Sequence, residues 1–164
     1  MIEEKVTSVA WSDTYSVGIK LLDDQHKGLL AFVNDLFNHA TGNADEEHAY
    51  FQGVIQQANQ YISDHFATEE ECMLATDFAG YNEHKMAHDK FKFAVVKSVN
   101  EFNAGKMLTL SNFADFLKDW ISSHVDMMDK QYSLYFKKIA AIKKDGKLND
   151  VLAEIISRRE KISG

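Results

Sequence analysis

Apolar residues recur at helical spacing in four stretches of the chain. The first carries Ile19, Leu22, Leu29, Leu30, Val33, Leu36 and Phe37; it follows an irregular arm, WSDTYSVG, and closes near the polar TGNAD. The second carries Phe51, Val54, Ile55, Ala58, Ile62, Phe66 and Met73 and stops around DFAGYN. The third has Phe91, Val95, Val99 and Phe102 and ends at NAGK. The fourth is expected to open with Ser111 as its N-cap and runs through Phe113, Phe116, Leu117, Trp120, Ile121, Val125 and Met128. Stripes of this period bury one face of a helix. Four of them joined by short connections predict an all-α fold, an up-down-up-down antiparallel four-helix bundle behind an N-terminal arm. A fifth segment, after KKDGK, sets Leu148, Val151, Leu152, Ile155, Ile156 and Ile162 on one face. It is too short to stand alone in water and is expected to form an extra C-terminal helix docked on the bundle. Its alternative use is contact with a second copy or another protein. The expected division is a bundle with its arm over 1–137 and a helical extension over 138–164.

Polar residues that interrupt these stripes change the picture. His26 sits between Leu22 and Leu29, His65 is three beyond Ile62, and Glu69 is four beyond His65. His84 and His88 precede Phe91 at seven and three residues, and His124 follows Trp120 and Ile121 on the same face. Five of the seven histidines therefore aim inward, whereas His39 and His48 sit in polar surroundings and read as surface residues. One inward histidine is ordinarily a hydrogen-bonded core residue. Five with a glutamate are a different matter, because each unpaired buried imidazole or carboxylate costs several kcal/mol, roughly, and a bundle core offers few backbone partners. Shared cations remove that cost for all of them together. Imidazole and carboxylate without thiolate suit iron, zinc, copper or manganese. The set is too large for one tetrahedral zinc, so two metals are indicated. Two adjacent ions need bridging carboxylates; Glu69 is one candidate, and Asp129, in the run HVDMMD at 124–129, is the candidate for the second.

That run is awkward for a regular helix. Five steps of about 100° leave His124 and Asp129 roughly 140° apart. A local π-type widening would bring them closer, and such turns are frequent at functional sites. An irregular turn is therefore expected between 124 and 129.

Composition narrows the function classes. The 164 residues are 45% hydrophobic and contain no proline, which favours long helices in a single domain. A net charge of −7 without a dense basic block argues against nucleic acid. No apolar run is long enough to span a bilayer, so no membrane association is expected. The opening MIEEKVTSVAWSD lacks the pattern of a signal peptide, and the single cysteine, Cys72, fits a reducing compartment. A cytoplasmic location is expected.

The histidine-rich ligand balance also bears on reactivity. Ferritin-like bundles that activate oxygen take a Glu from two helices and a Glu-x-x-His from the other two. No such motif lies on these stripes. Two carboxylates leave two divalent irons with residual positive charge, which favours reversible O2 binding over O–O cleavage. Phe66, Phe91, Trp120, Ile121 and Val125 are expected to form an apolar O2 pocket that supplies no general acid or base.

Taken in order, WSDTYSVGIKLLDDQH at 11–26, HFATE at 65–69, HKMAH at 84–88 and HVDMMD at 124–129 resemble the hemerythrin family, and its bacterial members in particular. The resemblance covers residues 8–137. It implies two non-haem iron ions with an oxo or hydroxo bridge in a four-helix bundle that binds O2 reversibly, for storage, delivery or scavenging, without enzymatic turnover. It further implies that His84, His88 and His124 hold one iron, and that His26 and His65 hold the other, which keeps an open position. Glu69 and Asp129 would bridge, and Trp11 resembles the arm tryptophan over the bundle end. Alternatives with the same site are an O2 or redox sensor acting through a partner, and a di-iron peroxidase or nitric-oxide-handling enzyme. The chain departs from the family in reading AGYNEH, without proline, before the third helix, and in its extension beyond 137.

Overall fold

The structure is a computed structural model that describes residues 8–106, 109–142 and, in the C-terminal segment, 153–155, 157, 158 and 161. A short 3-10 turn, Asp13–Tyr15, precedes α1 (Lys20–Asn38), α2 (Ala44–Ala75) and α3 (Tyr81–Asn103). The last rod begins as α4 (Leu110–His124), passes through a π-helical turn, Val125–Asp129, and continues as α5 (Lys130–Ile142). Backbone angles at Val125 and Lys130 stay in the right-handed helical region, so the rod is widened there without being broken. The irregular turn expected between His124 and Asp129 is present. Every regular element among the described residues is helical, and the four rods pack as a bundle.

Local chemistry sets the ends of these helices. The Asn43 side chain accepts hydrogen bonds from Asp45 and Glu46 backbone N–H groups, and acidic residues fill the first turn of α2, where the helix dipole favours them. The fourth helix starts earlier than the stripe suggests. Thr109, not Ser111, is the cap: its backbone is extended and its hydroxyl accepts from Asn112 N–H at 3.1 Å, so Leu110 enters the helix fully buried. Glu47 ties two connections together. Its buried carboxylate accepts from Gly42 N–H at 2.8 Å and from Leu110 N–H at 3.2 Å.

The core runs along the bundle axis, with Val33, Leu36, Phe51, Phe66, Met73, Phe113 and Leu117 almost fully enclosed. Phe51 meets Phe102 and Phe113 at ring distances of 4.4 and 5.2 Å. Helices α1 and α2 come close where Gly28 faces Tyr61; a Cβ at Gly28 would lie 2.2 Å from the Tyr61 hydroxyl. A larger residue at Gly28 would force the Tyr61 side chain to move. The N-terminal arm is pinned to α1 by a two-way bond between the Val9 backbone and the Asn34 amide. Asp23 accepts from Val17 N–H and the Ser16 hydroxyl, and Tyr15 reaches Ser122 at 3.1 Å. Trp11 packs partly buried against the core. Of the C-terminal extension, Ile155 is buried among core residues and Arg158 pairs with Glu71 of α2 at 2.8 Å, as docking on the bundle requires. Leu148, Val151, Leu152, Ile156 and Ile162 lie outside the described residues.

Candidate metal centre

Five elements deliver the inward polar residues to one point. His26 comes from α1. His65 and Glu69 sit four apart on α2, and His84 and His88 four apart on α3, so each pair shares a helix face. His124 closes α4, and Asp129 closes the π-helical turn. All seven are buried, none more than 5% exposed. His39 and His48 stay on the surface, stacked on Tyr50 and Phe102.

The carboxylates divide the cluster into two halves. Glu69 Oε2 lies 3.1 Å from His88 Nε2 and 3.7 Å from His84 Nε2, while its Oε1 lies 3.5 Å from His65 Nε2 and 3.8 Å from His26 Nε2. Asp129 Oδ1 lies 3.0 Å from His84 Nε2 and 3.1 Å from His124 Nε2, while its Oδ2 lies 3.3 Å from His26 Nε2. One half therefore gathers Glu69, His84, His88, His124 and Asp129, and the other His26, His65, Glu69 and Asp129. In the first half the imidazole nitrogens crowd each other: His124 Nε2 is 3.0 Å from His84 Nε2 and 3.1 Å from His88 Nε2.

This crowding fits cations and little else. All four carboxylate oxygens and His26 Nε2 are buried without a hydrogen bond of acceptable geometry. Orphaned polar atoms are rare in native cores, and five converging ones need a shared partner. Three imidazole nitrogens that face each other at about 3 Å point at a common centre, an arrangement that could hold a metal ion. The ionisation of the group reflects the same field. Burial works against charge on His26 and His84, yet Asp129 and Glu69 prevail and lift them to about 10 and about 9. Burial pushes His65 down to about 4 despite Glu69. Burial would raise Glu69 and Asp129, but the surrounding histidines hold both well below the usual carboxylate range. The two carboxylates thus stay charged at the centre of the pocket, where they attract protons or metal ions.

The second nitrogens of three rings are also anchored. His26 Nδ1 lies 3.1 Å from the Tyr15 carbonyl, His65 Nδ1 2.9 Å from Gln25 Oε1, and His88 Nδ1 3.0 Å from a Glu70 carboxylate oxygen. Such contacts fix ring orientation and leave Nε2 free for a metal. Sequence patterning misses Gln25 and Glu70 because both fall off the apolar stripes; their only signal is that they flank His26 and Glu69.

Beside the cluster lies a small apolar pocket lined by Leu29, Phe32, Ile62, Phe66, Phe91, Leu117, Trp120 and Ile121. Phe66, Phe91, Trp120 and Ile121 are the expected pocket residues that it contains. Val125 is buried but does not line it. Phe66 stacks on His88 at 3.8 Å, and Trp120 on His124 at 4.2 Å, so the apolar wall holds the imidazole planes.

The profile of the Hemerythrin HHE cation binding domain matches residues 17–136, which include all seven residues of the cluster. The chain belongs to the hemerythrin family. A bacteriohemerythrin of Methylococcus capsulatus is 30% identical over 119 residues, 72% of this chain and 88% of the relative. A myohemerythrin of Sipunculus nudus is 27% identical over 127 residues, 74% of this chain and 88% of the relative. The crystal structure of a wild-type hemerythrin superposes with a TM-score of 0.65 at 28% identity, covering 76% of this chain and 95% of that one. The buried His/Glu/Asp cluster is consistent with a hemerythrin-like two-metal site in this bacteriohemerythrin-related chain.

Proposed function

We propose that the chain binds O2 reversibly at a non-haem di-iron centre and acts as an oxygen-storing, delivering or scavenging protein, not as an enzyme. The observation that carries this reading is the split of both buried carboxylates, each offering one oxygen to either histidine set. His84, His88 and His124 would hold one iron, His26 and His65 the other, and Glu69 and Asp129 would bridge. Three histidines and two carboxylates then saturate the first ion far more than two histidines and two carboxylates saturate the second, which keeps room for an exogenous ligand.

Two irons held this way would supply the reducing electrons on which O2 binding draws. The chain's own residues govern the fate of the bound ligand. Leu29, Phe32, Ile62, Phe66, Phe91, Leu117, Trp120 and Ile121 exclude water and offer no carboxylate, imidazole or lysine to deliver a proton beside the ligand. That favours release of O2 over its consumption. Tyr15, Gln25 and Glu70 keep His26, His65 and His88 oriented through each cycle.

The test is anaerobic reduction of the iron-loaded chain, addition of O2 and its removal, followed by visible absorption. Recovery of the reduced form over several cycles is expected. Irreversible oxidation in the first cycle would replace the carrier reading with an enzymatic one.

A further inference from the structure

The partners behind the histidines differ in charge from one half of the cluster to the other. His26 and His65 lean on neutral acceptors, the Tyr15 carbonyl and the Gln25 amide. The Gln25 amide is itself oriented, since its Nε2 donates to the Thr68 hydroxyl at 3.4 Å and that hydroxyl donates to the Asp64 carbonyl. His88 leans on an anion. Glu70 Oε1 lies 3.0 Å from His88 Nδ1, and the Glu70 side chain is only 16% exposed. The His88 ring is held for this contact by Phe66, which stacks on it within 3° of parallel. His84, in the same half, has no partner at Nδ1 among the described residues, so the carboxylate bears on one ligand only.

Among the described residues, Glu70 makes no other bond that would explain its position. Lys85, on which the Glu70 charge acts, is bonded to Asp89. Glu69 and Glu70 are consecutive on α2, about 100° apart around the helix axis. One therefore enters the pocket, and the other passes beside it to the back of an α3 histidine. A carboxylate accepting the Nδ1 proton pushes electron density into the ring and makes Nε2 a stronger donor; a neutral amide or carbonyl does so much less.

We propose that Glu70 is a positioning residue that makes the metal held by His84, His88 and His124 the more electron-rich of the two. On this basis the pair is unequal in charge as well as in ligand number, and the three-histidine metal is the easier to oxidise. The inference rests on the two-metal reading above.

The experiment compares full-length wild type, Glu70→Gln, Glu70→Asp and Glu71→Gln, each loaded with iron without oxygen and titrated potentiometrically. Cobalt(II) affinity is measured in parallel on the metal-free chains. Glu70→Gln keeps an acceptor for Nδ1 but loses the charge. It is expected to shift the first one-electron equilibrium about tenfold towards the reduced form, a rise of about 59 mV. Cobalt affinity should fall roughly tenfold or more. Glu70→Asp, which keeps the charge on a shorter arm, should recover part of both effects, and Glu71→Gln neither. A potential unchanged in Glu70→Gln, or shifted equally in Glu71→Gln, overturns the inference. A Glu70→Gln chain that loads no metal while Glu70→Asp behaves as wild type supports it through the affinity. A wild-type chain that takes up no iron or cobalt would instead overturn the two-metal reading, and this inference with it.

Discussion

At Glu69 and Asp129, burial that would ordinarily protonate a carboxylate is overcome by a ring of imidazoles, and the charge stays. An anion kept charged in a dry core is a cation site. Replacement by alanine should therefore act on metal content more than on fold. Glu69→Ala, reconstituted with iron, is expected to hold almost none. His39→Ala, which changes a surface ring stacked on Tyr50, should hold as much as wild type. Equal iron in both, measured by elemental analysis, would remove Glu69 from the centre. Residues of this kind are legible in the sequence because they stand where an apolar side chain belongs. Gln25 and Glu70 are not, since a polar residue off the stripe looks like any solvated one until the neighbouring helix is in place. Leu29, Ile62 and Leu117 read as core and Phe32 falls outside the stripe; only packing shows that all four line the pocket beside Phe66 and Trp120.

Among the elements, the last rod shows most directly how pattern becomes geometry. One line of its buried positions runs Leu110, Ala114, Leu117 and Ile121, then His124. Beyond this they run Val125, Asp129, Tyr132 and Phe136, the same rhythm displaced by one residue. The π-helical turn absorbs that extra residue, so both halves of the rod face the core. The slip is present in the sequence, and the five-residue interval from His124 to Asp129 is its trace. The start of the same rod is harder to place because Thr109 and Ser111 are both good caps. The choice between them depends on burial of Leu110, which no local signal encodes. Glu47, at the far end of α2, gives a test of element-level stability separate from the centre. Glu47→Ala leaves Gly42 and Leu110 N–H groups without their acceptor, at a cost of about 1–3 kcal/mol. A melting midpoint lowered by roughly 2–10 °C is expected. Glu47 is eighteen residues before His65, about 27 Å along the helix. Iron content should accordingly not change.

For the molecule as a whole, the arm is tied to the bundle by several hydrogen bonds, and the described residues of the extension meet it at two points. Ile155 inserts into the core and Arg158 pairs with Glu71. The ion pair is partly exposed and contributes little, while the buried isoleucine contributes more. Ile155→Ala is expected to cost about 2–5 kcal/mol, a midpoint lowered by roughly 4–20 °C. Deletion of residues 145–164 should lower it at least as far, yet spare the absorption spectrum of the oxygenated protein. A lost spectrum would show that the extension shapes the centre. The widened turn also decides which changes in chain length the molecule tolerates. Removing any one residue between Val125 and Met128 would take out the residue that this turn absorbs, and the rod would relax into a regular α-helix with Asp129 four places after His124, still facing the core. Adding one residue there would instead turn Asp129 by about 100°, with the buried Tyr132, Ser133 and Phe136, and Ser133 would lose the Val17 carbonyl that it bonds in the arm. Metal uptake and arm docking would then fail together in a single-codon insertion and survive a single-codon deletion, although neither substitutes a residue of the cluster.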